Sequence, residues 1–292
     1  MMNVKTEICN AFNAHAAEYE QAAKVQYEIG ERLFERLDYL KINPRYVLDL
    51  GCGPGLFSQR LKKQYPKAHI VGLDLAHKML LLAKRKQSWR QKWALVNGDM
   101  TALPFAAGIF DLVFANQVIH WSQPLSAVIA ELNRVMNVHG CLMFSTLGPD
   151  TFHELRRAFS TADHYAHAND FADMHDVGDC LLGEYFIDPV VDMELLTAHY
   201  STLPQLLRTL KAQGVRNTNP ARNHGLTGKQ SWMKFEQAML AHCTPQGKVP
   251  LTYEVVYGHA WKGEQRRTAS GVETIISVDQ LRASVKRKKE II

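Results

Sequence analysis

The sequence predicts an α/β fold, a doubly wound and mostly parallel seven-stranded sheet with N-terminal helices and a helical insertion. Between residues 46 and 146, short apolar runs alternate with segments of helical periodicity, which is typical of parallel strands joined by helices. The first run ends in an acid followed by Gly51, Gly53 and Gly55, which allow a sharp turn and close approach to a ligand. We therefore expect a ligand site at the carboxyl ends of the strands.

The elements of the first half follow from hydropathy periodicity. Apolar and aromatic positions at helical spacing predict two helices within residues 3–40, and Asn43 and Pro44 end the second. A proline stands in the opening turn of the last helix of this half. The predicted strands are 46–50, 69–74, 93–96, 109–115 and 141–146, and the predicted helices between them are 56–65, 76–87 and 124–136.

The pattern changes after residue 147. We predict an excursion at 195–248 between the last two strands of the sheet, where such segments often shape substrate pockets. A polar and basic tail from residue 263 contains one strand-like run, 272–278. The predicted helices are 150–160, 174–182, 203–213 and 228–242, and the predicted strands are 186–193 and 251–261.

Composition excludes several classes of protein. The five cysteines are odd in number and show no CxxC pairing, which argues against a disulfide framework or a metal site and favours a reducing cytosol. No apolar run approaches the ~20 residues that a membrane span needs, and the N-terminus has no apolar signal core. The net charge of +5 favours acidic partners only weakly. We expect a cytoplasmic protein without a metal.

The acids that follow the strands restrict the kinds of ligand that the site can bind. The dinucleotide fingerprint GxGxxG is absent, since Leu56 stands where its last glycine would lie. Asp74 can accept hydrogen bonds from both hydroxyls of a ribose, and Asp99 from an adenine amino group, with Met100 supplying backbone contacts. Asp49 can organise a loop that holds an ammonium and a carboxylate. An adenosine that bears an amino-acid end describes S-adenosylmethionine.

Four motifs occur in the expected order: DLGCGPG (49–55), GLDL (72–75), NGDM (97–100) and FDLVFANQVIHW (110–121). With them the chain resembles the class I S-adenosylmethionine-dependent methyltransferases, which have a Rossmann-like fold, over roughly residues 44–147. The resemblance implies S-adenosylmethionine as the cofactor. It places cofactor binding at Asp49, Gly51, Gly53, Gly55, Asp74, Leu75, Asp99, Met100 and Asn116.

A narrower resemblance covers nearly the whole chain. Segments 16–19, 144–159, 171–182, 189–196 and 251–261 are similar to those of the malonyl-acyl-carrier-protein O-methyltransferases of early biotin synthesis. These enzymes convert the free carboxylate of a malonyl thioester to its methyl ester. The resemblance implies malonyl-acyl carrier protein, or malonyl-coenzyme A, as the partner, with no membrane or nucleic acid.

This resemblance also implies how the chain is divided into a domain and its segments. It implies a methyltransferase domain at 1–262, with the cofactor-binding core at 44–147. The segments 148–182 and 195–248 are then the substrate-side lid and insertion, and 263–292 is a polar basic tail.

The implied reaction needs a bound carboxylate. A malonyl carboxylate is ionised at neutral pH, since carboxyl pKa values lie near ~4, so no general base is required. A bidentate arginine fits a planar carboxylate best. Arg156 and Arg157 are the candidates, and because adjacent helix positions point about 100° apart, at most one faces the pocket. We choose Arg156, and we expect Tyr19 and Trp121 to wall the methyl-transfer site.

Carrier docking is expected on the insertion, because acyl carrier proteins are acidic. Such binding weakens as salt rises. The basic side chains of the insertion are Arg208, Lys211, Arg216, Arg222 and Lys229.

Two alternatives stay open at this point. The complex I assembly methyltransferase-like proteins, one of which hydroxylates an arginine, are similar over many of the same segments. A nucleic-acid methyltransferase is permitted by the net charge. However, the NPPY-like motif of base methyltransferases is absent, since Asn116 is followed by Gln-Val-Ile.

Overall fold

Helices and strands alternate along most of the chain. The computed structural model describes residues 4–223, 225–268 and 271–275. The helices are α1 Val4–Ala22, α2 Lys24–Glu35, α3 Leu56–Gln64, α4 His77–Lys86, α5 Leu125–Val135, α6 His153–Ser160, α7 Met174–Gly183, α8 Leu203–Ala212 and α9 Lys229–Ala241. The strands are β1 Tyr46–Leu50, β2 His69–Asp74, β3 Ala94–Asn97, β4 Phe110–Asn116, β5 Met136–Leu147, β6 Phe186–Tyr200, β7 Val249–Lys262, β8 Glu264–Thr268 and β9 Gly271–Ile275.

In the described part of the chain, seven strands form one sheet in the order β3-β2-β1-β4-β5-β7-β6. The strands from β1 to β5 pair in parallel, and β7 pairs antiparallel with both β5 and β6. The prediction of a doubly wound, mostly parallel sheet is therefore confirmed. The strand order reverses between β1 and β4, so a crevice opens there at the carboxyl ends of the strands.

The structure moves the boundaries of several predicted segments. β5 begins at Met136 rather than at residue 141, directly after α5. β6 continues to Tyr200, and it pairs with β7 along most of its length. Exposed and half-buried positions alternate along it, which weakened the apolar signal used to end the predicted strand at residue 193. The excursion consequently begins at residue 201 rather than 195. In the tail, β9 covers part of the predicted run 272–278 and pairs with β8, while residues 276–278 lie outside the described residues.

Both faces of the sheet are covered by apolar side chains. Along β4, Leu112 and Phe114 join the core cluster that contains α2 and α3, whereas Val113 and Ala115 join the cluster on the α5 side. All four are fully buried, and burying a leucine or phenylalanine stabilises a fold by about 1.5–3 kcal/mol. In the described chain, no helix is both long and apolar enough to cross a membrane.

A buried carboxylate joins the helix after β5 to the reversed strand. Glu154 on α6 is 5% exposed, and it accepts hydrogen bonds from the Thr252 backbone N–H at 3.0 Å and from the Thr252 hydroxyl at 2.6 Å. Replacing Glu154 with alanine leaves both donors buried without that partner. We expect Glu154→Ala to lower the free energy of unfolding by about 2–4 kcal/mol in urea titrations.

The matched control for this prediction is Glu35→Ala, which removes an exposed glutamate at the end of α2. Its effect should stay within about 0.5 kcal/mol, as is usual for surface positions. Equal stabilities of the two variants would show that the α6–β7 contact contributes nothing.

Candidate active site

A cleft of about 810 Å³ opens at the carboxyl ends of the first four strands, beneath α1. Asp49, Gly55 and Arg156 do not line it. Of the residues predicted from the sequence, those that line it are Tyr19, Gly51, Gly53, Asp74, Leu75, Asp99, Met100, Asn116 and Trp121.

The glycine loop after β1 forms one wall of the cleft. Gly51 has a φ of +65°, and a Cβ there would lie 2.4 Å from Cγ2 of Val118, so a larger residue does not fit. The N–H of Gly53 donates to Asp74 Oδ2 at 2.9 Å, and a Cβ at residue 53 would meet nothing within 4 Å. Gly55 differs from expectation, because its Cβ would lie 2.8 Å from Cβ of Ala83. This glycine permits the loop to pack on α4, and its role in cofactor binding stays a prediction.

Asp74 ends β2 with its carboxylate against the glycine loop. One oxygen accepts the Gly53 N–H and the other accepts the Ala76 N–H at 2.7 Å. Burial raises the pKa of Asp74 to about 6, and the two backbone hydrogen bonds oppose that rise. Each carboxylate oxygen has a further lone pair, so the group can also accept the hydroxyls of a diol.

Asp49 lies behind the loop rather than in the cleft. It is 2% exposed and accepts a 2.5 Å hydrogen bond from the Ser58 hydroxyl, which joins β1 to α3. Burial raises the pKa of Asp49 to about 7, although the Ser58 hydrogen bond opposes the rise. Asp49 therefore supports the loop through α3, and its role in cofactor binding stays a prediction.

Asp99, after β3, is engaged by a residue of the leader. Lys5 Nζ lies 2.7 Å from Asp99 Oδ2, and the other oxygen accepts the backbone N–H and the hydroxyl of Thr101, both at 2.9 Å. Burial raises the pKa of Asp99, but the hydrogen bonds from Lys5 and Thr101 outweigh it and the net shift is downward. An adenine amino group would share this carboxylate with Lys5.

Asn116 at the end of β4 lines the cleft, yet its amide is used within the protein. Its Nδ2 donates to the Gln26 carbonyl at 3.1 Å, and its Oδ1 accepts from the Ser145 hydroxyl at 2.7 Å. These bonds hold the first turn of α2 against the sheet. Asn116 thus forms part of the cleft wall, and its amide fixes the position of α2 relative to the sheet.

A second cavity, of about 820 Å³, adjoins the cleft on the side of the insertion. The Phe12 and Trp121 rings meet edge to face with centroids 5.5 Å apart, and Phe12 also contacts the Tyr19 ring. Burial, with a contribution from Asp74, raises the pKa of Tyr19, so its hydroxyl stays protonated. The residues that line both spaces are Phe12, Tyr19, Gln117 and Trp121. The methyl-transfer site predicted at Tyr19 and Trp121 would lie at this junction.

The charges of the residues that line the second cavity favour binding of an anion. Among the described residues that line it there is no aspartate or glutamate, and Arg216 is the only permanent cation. Burial lowers the pKa of His120 to about 3, so this imidazole is neutral. His167 bonds to Asp163 at 2.7 Å. An incoming carboxylate would therefore meet Arg216 and no opposing acid in the wall.

The structure corrects the expectation for Arg156. Its Nε donates to the Thr151 carbonyl at 3.1 Å, another nitrogen donates to the Asn169 carbonyl, and Asp170 lies 3.6 Å away. Arg156 lines neither space. Its guanidinium instead holds the 169–170 segment against α6, and Arg157 is exposed.

Arg222 also differs from its expected docking role. Its guanidinium donates to Glu7 at 2.9 Å and to the Asn217 carbonyl at 3.0 Å, so it joins the insertion to α1. The contributions of Lys5 and Phe12 were not predicted either. Both come from α1. The prediction for Tyr19 indicated that this helix reaches the cleft, but no local motif indicates the contacts of Lys5 and Phe12.

The sequence of this chain is similar to a known family model and to known proteins. A family model described as "Methyltransferase domain" matches residues 48–144. A protein of Legionella pneumophila named malonyl-[acyl-carrier protein] O-methyltransferase is 64% identical over 280 residues, which are 96% of this chain and 99% of that protein. A protein of the same name from Gallionella capsiferriformans is 43% identical over 93% of this chain and 95% of its own length.

Solved structures share the fold at low identity. The YcgJ protein of Bacillus subtilis has a TM-score of 0.59 at 13% identity, covering 80% of this chain and 99% of its own. A phosphoethanolamine N-methyltransferase of Haemonchus contortus has a TM-score of 0.56 at 13% identity, covering 90% of this chain and 61% of its own. Fold and cleft define a class I S-adenosylmethionine-dependent methyltransferase. The chain belongs to the malonyl-[acyl-carrier protein] O-methyltransferase family.

The residues present fit S-adenosylmethionine. The loop at Gly53 borders open space, and Asp74 offers acceptor oxygens for a ribose at the end of β2. Asp99 and Met100 line the cleft beyond it. We find no group of described residues arranged to hold a metal ion.

Cofactor affinity should depend on pH through Asp74. Its pKa of about 6 in the free protein must fall when ribose hydroxyls donate to the ionised form, so binding releases a proton. Affinity should therefore rise with pH and level off above the pKa. We expect S-adenosylhomocysteine to bind about tenfold more weakly at pH 5 than at pH 7.5. Calorimetry in buffers of different ionisation enthalpy measures both quantities, and a flat profile without proton release would contradict the prediction.

Proposed function

We propose that this enzyme methylates the free carboxylate of a malonyl thioester carried on acyl carrier protein, giving the malonyl methyl ester. The observation that carries the proposal is the second cavity. It meets the cofactor cleft at Tyr19 and Trp121, contains no acid among its described lining residues, and has Arg216 at its wall. The names of the Legionella and Gallionella relatives support the same substrate.

The residues of the second cavity would act mainly by binding and orientation. The cofactor, when bound, supplies a methyl group on a sulfonium. Arg216 would hold the malonyl carboxylate, which needs no deprotonation at neutral pH. Tyr19, Trp121 and Phe12 would exclude water around the junction, where the transfer neutralises charge. Holding the two reactants in line can lower the barrier by about 7 kcal/mol or more.

The carrier protein would dock on the insertion. Arg208 and Lys211 on α8 are exposed, and Arg216 follows a few residues later at the second cavity. These three exposed cations would attract an acidic carrier, and binding of the carrier should weaken as ionic strength rises. Arg222 is left out of this surface because it is paired with Glu7.

The direct test uses S-adenosylmethionine labelled in its methyl group. Incubation with malonyl-acyl carrier protein should put base-labile label on the carrier, as expected for a methyl ester. Acetyl-acyl carrier protein, which lacks the free carboxylate, is the matched acceptor and should stay unlabelled. Absence of transfer to both malonyl-acyl carrier protein and malonyl-coenzyme A would overturn the proposal.

The two alternatives predict different outcomes. An arginine hydroxylase or assembly factor would transfer no methyl group and would form a stable complex with a protein partner. A nucleic-acid methyltransferase would retain RNA at moderate salt and label it. The acid-free second cavity and the family membership favour the carboxylate acceptor over both.

A further inference from the structure

Two residues that line the second cavity each have a buried polar atom without a hydrogen-bond partner among the described residues. These atoms are the Tyr253 hydroxyl oxygen and Oε1 of Gln26. Tyr253 is 1% exposed. A buried polar atom without a partner costs free energy, so such atoms are uncommon in native proteins unless a ligand or water pairs with them.

Tyr253 borders the cavity because of its place in the sheet. Pairing of β7 with β5 ends at Val255 opposite Leu147, so Tyr253 lies beyond the carboxyl end of β5. Its ring packs edge to face on Phe152, with centroids 5.0 Å apart. Burial raises the pKa of Tyr253 well above its usual value, which keeps the proton available for donation. Tyr200 and Gln213 also lie close enough to influence that pKa, but neither meets hydrogen-bond geometry with the hydroxyl.

Gln26, which also lines this cavity, has a buried acceptor atom. Its Nε2 donates to Gln213 Oε1 at 3.3 Å, and Gln213 Nε2 in turn donates to the Ala22 carbonyl at 2.9 Å. Gln213 is 2% exposed, so this chain of amides lies within the protein. The carbonyl oxygen of Gln26 is thereby held in place without a donor.

The Tyr253 hydroxyl can donate a hydrogen bond and Gln26 Oε1 can accept one. This pair matches the chemistry of the arm that carries the malonyl thioester, because that arm contains amide groups. Such an arm has carbonyl oxygens that accept hydrogen bonds and amide N–H groups that donate them. Resting on the function proposed above, we propose that Tyr253 donates to a carbonyl oxygen of the malonyl thioester and that Gln26 accepts from an amide N–H of its arm. The two residues would then determine specificity for arm-borne acceptors. The arms of acyl carrier protein and coenzyme A share this chemistry.

The first experiment compares Tyr253→Phe with Tyr27→Phe. Tyr27 also has a buried hydroxyl without a partner, but it lines neither the cleft nor the second cavity, so it is a matched control. With malonyl-acyl carrier protein we expect Tyr253→Phe to lower kcat/KM about three- to tenfold. Tyr27→Phe should leave kcat/KM unchanged. Neither variant should lower Tm or the affinity for S-adenosylhomocysteine.

The second experiment tests Gln26 with two small acceptors, the malonyl thioester of N-acetylcysteamine and the S-ethyl malonyl thioester. Only the first has an amide. The unsubstituted enzyme should prefer it through a lower KM, and Gln26→Met should reduce that preference. Tyr253→Phe should slow both acceptors and leave the preference in place.

The outcomes separate this inference from the proposed function. Methyl transfer by the unsubstituted enzyme, together with Tyr253→Phe and Gln26→Met that behave like Tyr27→Phe, would overturn the inference alone. Absence of transfer to every malonyl thioester would overturn the proposed function and the inference with it. A fall in Tm for Tyr253→Phe would assign the hydroxyl a structural role and would also contradict the inference.

Discussion

Asp74→Asn should weaken binding of S-adenosylhomocysteine by about 10- to 100-fold, since hydrogen bonds to a charged group contribute roughly 1.5–3 kcal/mol. Both carboxylate oxygens accept a backbone N–H, from Gly53 and from Ala76. Whichever oxygen becomes an amino group, one donor then faces another donor. The variant also lacks the negative charge that ribose hydroxyls would meet. Calorimetric titration measures the loss, and the pH dependence of binding should disappear with it.

Asp111→Asn is the matched control for this loss. Asp111 also accepts two backbone N–H groups, from Arg45 at 2.8 Å and Tyr46 at 3.1 Å, but it lies near the start of β4, away from the cleft. Asp111→Asn should lower the free energy of unfolding and leave the affinity for S-adenosylhomocysteine unchanged. Equal loss of affinity in the two variants would assign the effect to folding, and unchanged affinity in Asp74→Asn would remove Asp74 from the cofactor site.

Arg216→Gln should raise KM for malonyl-acyl carrier protein about 10- to 30-fold, with little change in the affinity for S-adenosylhomocysteine. Arg216 is exposed in the free protein, so its charge is screened until a substrate covers it. We therefore expect an effect near the lower end of the range for charged hydrogen bonds. Steady-state kinetics with one substrate saturating separates the two quantities.

The design must distinguish carboxylate binding from carrier docking. The malonyl thioester of N-acetylcysteamine has no carrier, so a persistent rise in KM with this acceptor assigns Arg216 to the carboxylate. A rise confined to the carrier substrate would leave Arg216 only its docking role and would contradict its proposed role in binding the carboxylate. Arg157→Gln removes an exposed arginine that lines neither space, and it is the charge-matched control. Arg216→Lys should recover part of the loss, because lysine keeps the charge without the bidentate geometry.

Much of the fold could be predicted because its signals are local. Buried strands, glycine turns and helix periodicity extend over a few residues each, and the elements from β1 to β5 occur close to their predicted positions, apart from the earlier start of β5. Eight of the nine predicted site residues that line the cleft lie there for the same reason, since each is at or just after the carboxyl end of a strand at one edge of the sheet. The ninth, Tyr19, lies on α1. Their roles in binding and catalysis stay predictions until the variants are measured.

The remaining site features depend on contacts between distant parts of the chain. Lys5 reaches Asp99 across 94 residues, and Arg222 reaches Glu7 across 215. A basic residue on a helix has the same local pattern whether it faces solvent, a backbone carbonyl or a cavity. For this reason the sequence could not show that Arg156 binds carbonyl groups of its own chain while Arg216 lines the second cavity.

By itself, the sequence determined the class of fold and the methyl donor, because glycine spacing and strand-terminal acids are local features with a defined chemical meaning. The family was indicated by the resemblance of segments outside the cofactor-binding core. Only the tertiary structure decided how α1 and the insertion close over the sheet, and hence which side chains meet an acceptor. Tyr253 shows the difference: in the sequence it is one aromatic residue of a strand. Its hydroxyl gains significance because the fold places Tyr253 beyond the end of β5, in the wall of the second cavity.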